Sequence, residues 1–124
     1  MSRKLLVIDD ALIIREKIKD ATRRCGWEIA GEAGNGQEAI ARYNELRPDV
    51  VTLDLVMPDY DGLHALSGIM KIDANAQVLV VSALDQPHIL KQALQLRAGD
   101  FILKPFDDSR LCSALEKLWA RRAA

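Results

Sequence analysis

Five polar residues carry the chemistry open to this chain, and each directly follows a short, largely apolar run. Asp9-Asp10 follow Leu5-Leu6-Val7-Ile8, Asp54 follows Val50 to Leu53, Ser82 follows Val78 to Val81, and Lys104 follows Phe101 to Leu103. Taken singly each has a plain role: Asp10 as cap of a helix, Ser82 as cap of a turn, Lys104 as a solvated strand end before Pro105. Together they are a different matter, because carboxylates gathered in one place repel and raise one another's pKa unless a cation sits among them. Oxygen donors without a His or Cys cluster favour a hard ion. Mg²⁺ suits a small carboxylate set that leaves waters and a phosphate oxygen in its shell. With a lysine opposite to hold an anion, the expected chemistry is a magnesium-assisted phosphoryl site.

These residues can share a site only if the fold brings the ends of the apolar runs together. Leu5 to Ile8 is apolar without alternation, as in a strand covered on both faces. From Leu12 the period becomes helical, with Ile14, Ile18, Ala21 and Cys25 on one face and Gly26 as a stop, while Arg15, Lys17, Lys19, Arg23 and Arg24 point elsewhere. The alternation repeats: strand Trp27 to Ala33, helix Gln37 to Leu46, strand Val50 to Asp54, helix Leu63 to Ile72. Then come strand Val78 to Ser82, helix Pro87 to Leu96, strand Phe101 to Leu103 and a helix from about Asp108 to Trp119. Strands alternating with helices pair in parallel through right-handed crossovers. The expected fold is therefore α/β, a three-layer doubly wound (βα)5 sandwich forming one domain, 1–124. In such a sheet the crevice lies beyond the carboxyl ends of the strands, where the five residues stand.

At 124 residues, 49% hydrophobic and 28% charged, the chain buries a real core and is not disordered. Seventeen Lys and Arg against eighteen Asp and Glu leave a net charge of -1, so no bulk field draws it to nucleic acid or to an anionic membrane. The apolar run after Met1-Ser2-Arg3-Lys4 is too short for a signal segment, and no run approaches membrane-spanning length, so a cytoplasmic protein is expected. Cys25 and Cys112 lie in helical patterns without a C-x-x-C arrangement; two reduced, packed thiols are expected, with a disulfide as the alternative. His64 and His88 have no second ligand at metal spacing and read as solvated or capping residues. Trp119 belongs either to the core or to an exposed binding face. Arg121 and Arg122 suit the last helix's C-terminal dipole or an acidic partner.

Asp9-Asp10, Asp54, Met57-Pro58-Asp59-Tyr60-Asp61-Gly62, Ser82-Ala83 and Lys104-Pro105-Phe106 together resemble the receiver domain of two-component response regulators, along the whole chain. The likeness is greatest to the single-domain, chemotaxis-type regulators. It implies a flavodoxin-like parallel sheet of order 2-1-3-4-5 and a cis Lys104-Pro105 peptide. Asp54 becomes the phosphate acceptor; Asp9, Asp10 and Asp54, with the Val56 backbone carbonyl, hold Mg²⁺; Ser82 and Lys104 grip the phosphoryl group. Ser82 and Phe101 take the switch positions. The resemblance further implies a signalling switch: a histidine kinase as phosphodonor, and a downstream target on the face of the fourth helix, fifth strand and last helix. It acts on no external metabolic substrate, although it assists its own phosphoryl transfer and hydrolysis. Val56 and Leu84, two positions beyond the acceptor and the switch hydroxyl, are apolar and cannot orient water, so slow self-dephosphorylation is expected.

The chain departs from the family pattern at two places. Phe101 stands where Tyr is frequent, and Arg97 stands where the helix before the last strand usually leaves through a glycine, so the left-handed turn is either shifted or strained there. Other readings fit less well. A flavin mononucleotide carrier would not place two carboxylates at its phosphate loop, and a dinucleotide site lacks G-x-G-x-x-G after the first strand. An aspartyl phosphatase resembles Asp-x-Asp at the nucleophile, where position 56 is Val. A degenerate receiver serving only as a docking scaffold would have lost an acid or the lysine, and this chain keeps them all.

Overall fold

The computed structural model describes residues 3–58, 61–83 and 87–123. Leu84, expected beside the site, lies outside the described residues, as do Asp59 and Tyr60. The elements follow the order that the periodicity predicts: β1 (Arg3–Ile8), α1 (Leu12–Arg24), β2 (Trp27–Ala33), α2 (Gly36–Leu46), β3 (Val50–Asp54), α3 (Asp61–Ile72), β4 (Val78–Ala83), α4 (Pro87–Gln95), β5 (Asp100–Lys104) and α5 (Asp108–Ala123). All pairings are parallel and the sheet order is β2-β1-β3-β4-β5.

Alternation along the central strands divides the apolar residues between two layers. Leu6, Ile8, Val51, Leu53, Val78 and Val80 face Ala39, Tyr43, Leu66, Ile69, Ile89 and Ala93 of α2, α3 and α4. Leu5, Val7, Val50, Leu79, Val81 and Ile102 face Ile18 and Ala21 of α1 and Leu111, Leu115 and Leu118 of α5. Being covered twice, β1, β3 and β4 read as largely apolar runs without alternation.

Two local features bear on the expectations. The chain leaves α4 through Arg97 itself, at φ 73°, while Gly99 shows no positive φ. The left-handed turn is therefore not shifted to the glycine; Arg97 adopts it, its N–H on the Leu94 carbonyl at 3.1 Å and that of Ala98 on the Ala93 carbonyl at 3.1 Å. At Gly99 a Cβ would lie 2.7 Å from Leu118 Cδ2, so a larger residue there requires the Leu118 side chain to shift. The Lys104-Pro105 peptide is cis, as the resemblance implies.

The expectation of two reduced thiols is corrected. Cys25, just after α1, and Cys112, in α5, are joined by a disulfide with their Cα atoms 6.4 Å apart. The two helices lie side by side on one sheet face, which brings together residues 87 positions apart in the chain. His64 and His88 are exposed. Trp119 is half-buried and packs edge-on against Trp27, ring centroids 6.0 Å apart, with the Arg3 guanidinium 4.5 Å from the Trp27 ring centre. Arg121 donates to the Gly99 carbonyl at 2.6 Å and Arg122 pairs with Asp49 at 3.0 Å, so both are engaged within the chain. Among the described residues no helix is long and apolar enough to cross a membrane.

Candidate functional site

Sheet register gathers the charged side chains. Residues Thr52 and Asp54 of β3, Val81 of β4, and Ile102 and Lys104 of β5 share one face by alternation and pairing, and Leu5 and Val7 of β1 lead on the same face to Asp9. A slip of one residue in any strand would turn its charged end away. The start of α3 closes one side: a Cβ at Gly62 would lie 2.4 Å from Leu55 Cα and 2.6 Å from the Asp54 carbonyl oxygen, so only glycine lets the helix approach the end of β3.

Asp9, Asp10 and Asp54 each offer a carboxylate oxygen within 4.8 Å of the others. Asp9 is 1% and Asp54 5% exposed, while Asp10 stands at the open rim. Lys104 Nζ lies 3.3 Å from Asp9 Oδ2 and 3.6 Å from Asp54 Oδ2. Asp9 Oδ1 accepts from the Ala11 N–H at 2.9 Å, and Asp54 Oδ1 from the Val56 N–H at 3.1 Å. Burial, more than any other influence, pushes the Asp54 carboxyl up to about 6; the Asp9 and Asp10 charges act in the same direction, while Lys104 and the Val56 N–H oppose it. Among the described residues Lys104 thus pairs with two of the three clustered carboxylates. The excess of negative charge, the oxygen-only donors and the open side at Asp10 fit a hard divalent cation such as Mg²⁺ that keeps several waters.

Ser82 is fully buried at the end of β4, its hydroxyl donating to the Ala83 carbonyl at 3.3 Å. It pairs with Leu103 and Val80 pairs with Phe101, so Ser82 and Phe101 lie on the sheet face opposite to Asp54, as diagonal neighbours. Phe101 is half-buried and packs against that layer. The Val56 side chain is 41% exposed beside Asp54.

Residues that the helical pattern of α1 merely turned away from the core also meet at this rim. Arg15 donates from Nε to Glu32 Oε1 at 2.8 Å and from Nη1 to the Asp9 carbonyl at 2.7 Å. Lys19 is 8% exposed, bonded to Glu32 at 2.6 Å and to Glu16 at 2.7 Å. Hydrogen bonds to Glu16 and then Glu32 raise the Lys19 pKa, and those from Lys19 and then Arg15 lower that of Glu32. The signal was a basic residue in the first turn of α1 and an acid one residue before the end of β2. Their pairing depends on β2 being the neighbour of β1.

A parallel sheet of this order, with buried acids and a lysine across its carboxyl edge, is a flavodoxin-like fold of the CheY kind. The chain belongs to the response regulator receiver domain family, which it matches over residues 5–116. It is 46% identical over 118 residues to the chemotaxis protein CheY of Thermotoga maritima, covering 95% of this chain and 98% of that one. It is 42% identical over 117 residues to CheY of Bacillus subtilis, covering 94% and 98%. Among solved structures it is similar to the CheX-CheY-BeF3-Mg complex of Borrelia burgdorferi, with a TM-score of 0.88, 32% identity, and coverage of 94% of this chain and 89% of that one. It is thus a CheY-like receiver domain of two-component signalling.

Proposed function

We propose that the chain, as one receiver unit over 1–124, is a phosphorylation-dependent switch. It takes a phosphoryl group from the phosphohistidine of a histidine kinase onto Asp54 and thereby changes its affinity for a downstream protein. The observation that carries this reading is the trio of carboxylate oxygens within 4.8 Å of one another, with Lys104 Nζ 3.6 Å from Asp54. In the transfer an Asp54 carboxylate oxygen attacks phosphorus while the phosphorus–nitrogen bond breaks and its electron pair returns to the imidazole. Lys104, now between Asp9 and Asp54, follows the phosphoryl oxygens; Ser82 exchanges the Ala83 carbonyl for one of them. Asp9, Asp10 and Asp54, with the Val56 carbonyl, would hold Mg²⁺, which when bound would supply positive charge to offset that of the phosphoryl oxygens.

Movement of Ser82 toward the phosphoryl group vacates space on the face it shares with Phe101, and the ring turns inward to fill it. Burying more of the ring at about 25 cal/mol per Å² is worth on the order of 1 to 2 kcal/mol, enough to bias two close-lying states. The target protein docks on α4, β5 and α5. Val56 and Leu84 are apolar and cannot orient an attacking water, so the self-hydrolysis that the site assists is slow. The switch works in the cytoplasm through proteins, without binding nucleic acid or membrane, and turns over no external metabolite.

Acetyl phosphate with Mg²⁺ is the test. Intact mass should rise by one phosphoryl group, need Mg²⁺, and stay unchanged in Asp54→Asn; undiminished phosphorylation of that variant overturns the assignment. Amide shifts on adding beryllofluoride should reach α4, β5 and α5. Changes confined to the acidic rim refute the coupling.

A further inference from the structure

Asp9 and Asp10 sit on the turn between β1 and α1, and their usefulness as ligands depends on how firmly that turn is held. Its backbone is gripped from two sides. The Asp9 N–H donates to the Ala33 carbonyl at 3.1 Å, continuing the ladder to β2. The Asp9 carbonyl accepts from Arg15 Nη1 at 2.7 Å, and the same guanidinium is fixed through Nε to Glu32 at 2.8 Å. Glu32 is held in turn by Lys19 at 2.6 Å. The Arg15 side chain is 17% exposed, and its Nη1 lies within ordinary van der Waals reach of a Cβ on Gly34, just beyond the end of β2.

We propose that Arg15 is a positioning residue for the Mg²⁺ ligands. By bridging Glu32 of β2 to the Asp9 carbonyl it fixes the backbone that aims the Asp9 and Asp10 carboxylates. The inference rests on the reading that these acids hold Mg²⁺. Arginine suits the task and lysine does not, because the two bonds leave different nitrogens of one rigid fork. Partners that orient metal ligands in this way contribute substantially to affinity.

The sign of the effect separates positioning from charge. Arg15 carries a positive charge near a cation site, so a purely Coulombic role predicts that Arg15→Gln binds Mg²⁺ more tightly and that Arg15→Lys leaves affinity unchanged. Positioning predicts that both bind it more weakly, by about 10-fold. Isothermal titration with MgCl₂ on the intact, unphosphorylated protein reads this without activity, and thermal unfolding checks that each variant folds. Equal or tighter Mg²⁺ binding by folded Arg15→Gln overturns the proposal alone. A parent protein that binds no Mg²⁺, or an Asp9→Asn variant that binds it undiminished, overturns the underlying reading of the site and the proposal with it.

Discussion

Replacing Asp54 with asparagine should stabilise the protein at neutral pH, by an amount that pH itself controls. Asp54 is 5% exposed and its carboxyl lies beside those of Asp9 and Asp10, and burial raises its pKa from 3.8 to about 6. The unfolded chain releases this proton near the ordinary value, while the folded one keeps it to about 6. Between those values the folded state binds more protons, so its stability falls as pH rises through the window and levels off above it. A shift of roughly two units corresponds to about 3 kcal/mol, and relaxation of Lys104 and entry of water reduce this, so about 1 to 3 kcal/mol is expected. Asparagine resembles the protonated acid in shape and carries no charge. The gain of Asp54→Asn over the parent should therefore be near zero at pH 4, grow between pH 4 and 6, and reach its full value by pH 7.5. Urea unfolding of both proteins at these pH values in EDTA measures it, and the difference cancels titrations common to the two. Saturating Mg²⁺ should shrink the gap, because binding to the folded parent offsets the repulsion. A gap that does not vary with pH, or a less stable variant at pH 7.5, refutes the reasoning.

The remaining expectations concern the frame around the site. Reducing the Cys25–Cys112 link, which spans 87 positions, should lower stability by up to about 4 to 5 kcal/mol on a chain-entropy account, read as the shift in urea midpoint with and without reductant. Gly62→Ala should lose about 1 to 3 kcal/mol in the same assay, because its methyl group meets the backbone of Leu55 and Asp54. Arg97→Gly, at a φ of 73°, should gain up to about 1 kcal/mol in thermal or urea unfolding, since only the side chain opposes that conformation.

The alternation of short apolar runs with helical patterns was enough to predict the ten elements and their parallel pairing, because each signal is local. Asp9, Asp10, Asp54 and Lys104 were legible for a related reason: a residue at the end of a buried strand stands at the crevice whatever the loops do. What escaped depends on which elements become neighbours. Cys25 and Cys112 each look like a packed helical thiol until α1 and α5 are laid side by side. Arg15 and Lys19 look like a solvated face until β2 takes the sheet edge and presents Glu32. Arg97 is instructive in another way, for the missing glycine was visible while the choice between a moved turn and a strained one was not. The turn is completed at Arg97, and Gly99 beyond it donates its N–H to the Val78 carbonyl at 2.9 Å.

The pairing of Cys25 with Cys112 uses every cysteine in the chain. Nucleophilic sulfur chemistry requires a thiolate, so the oxidised protein offers none to maleimides, iodoacetamide or nitroxide reagents. A single cysteine introduced at an exposed site such as Gln95 would be the sole point of attachment, provided the native link is left unreduced. A fluorophore or spin label carried there could then report movement of α4 in an otherwise unmodified molecule.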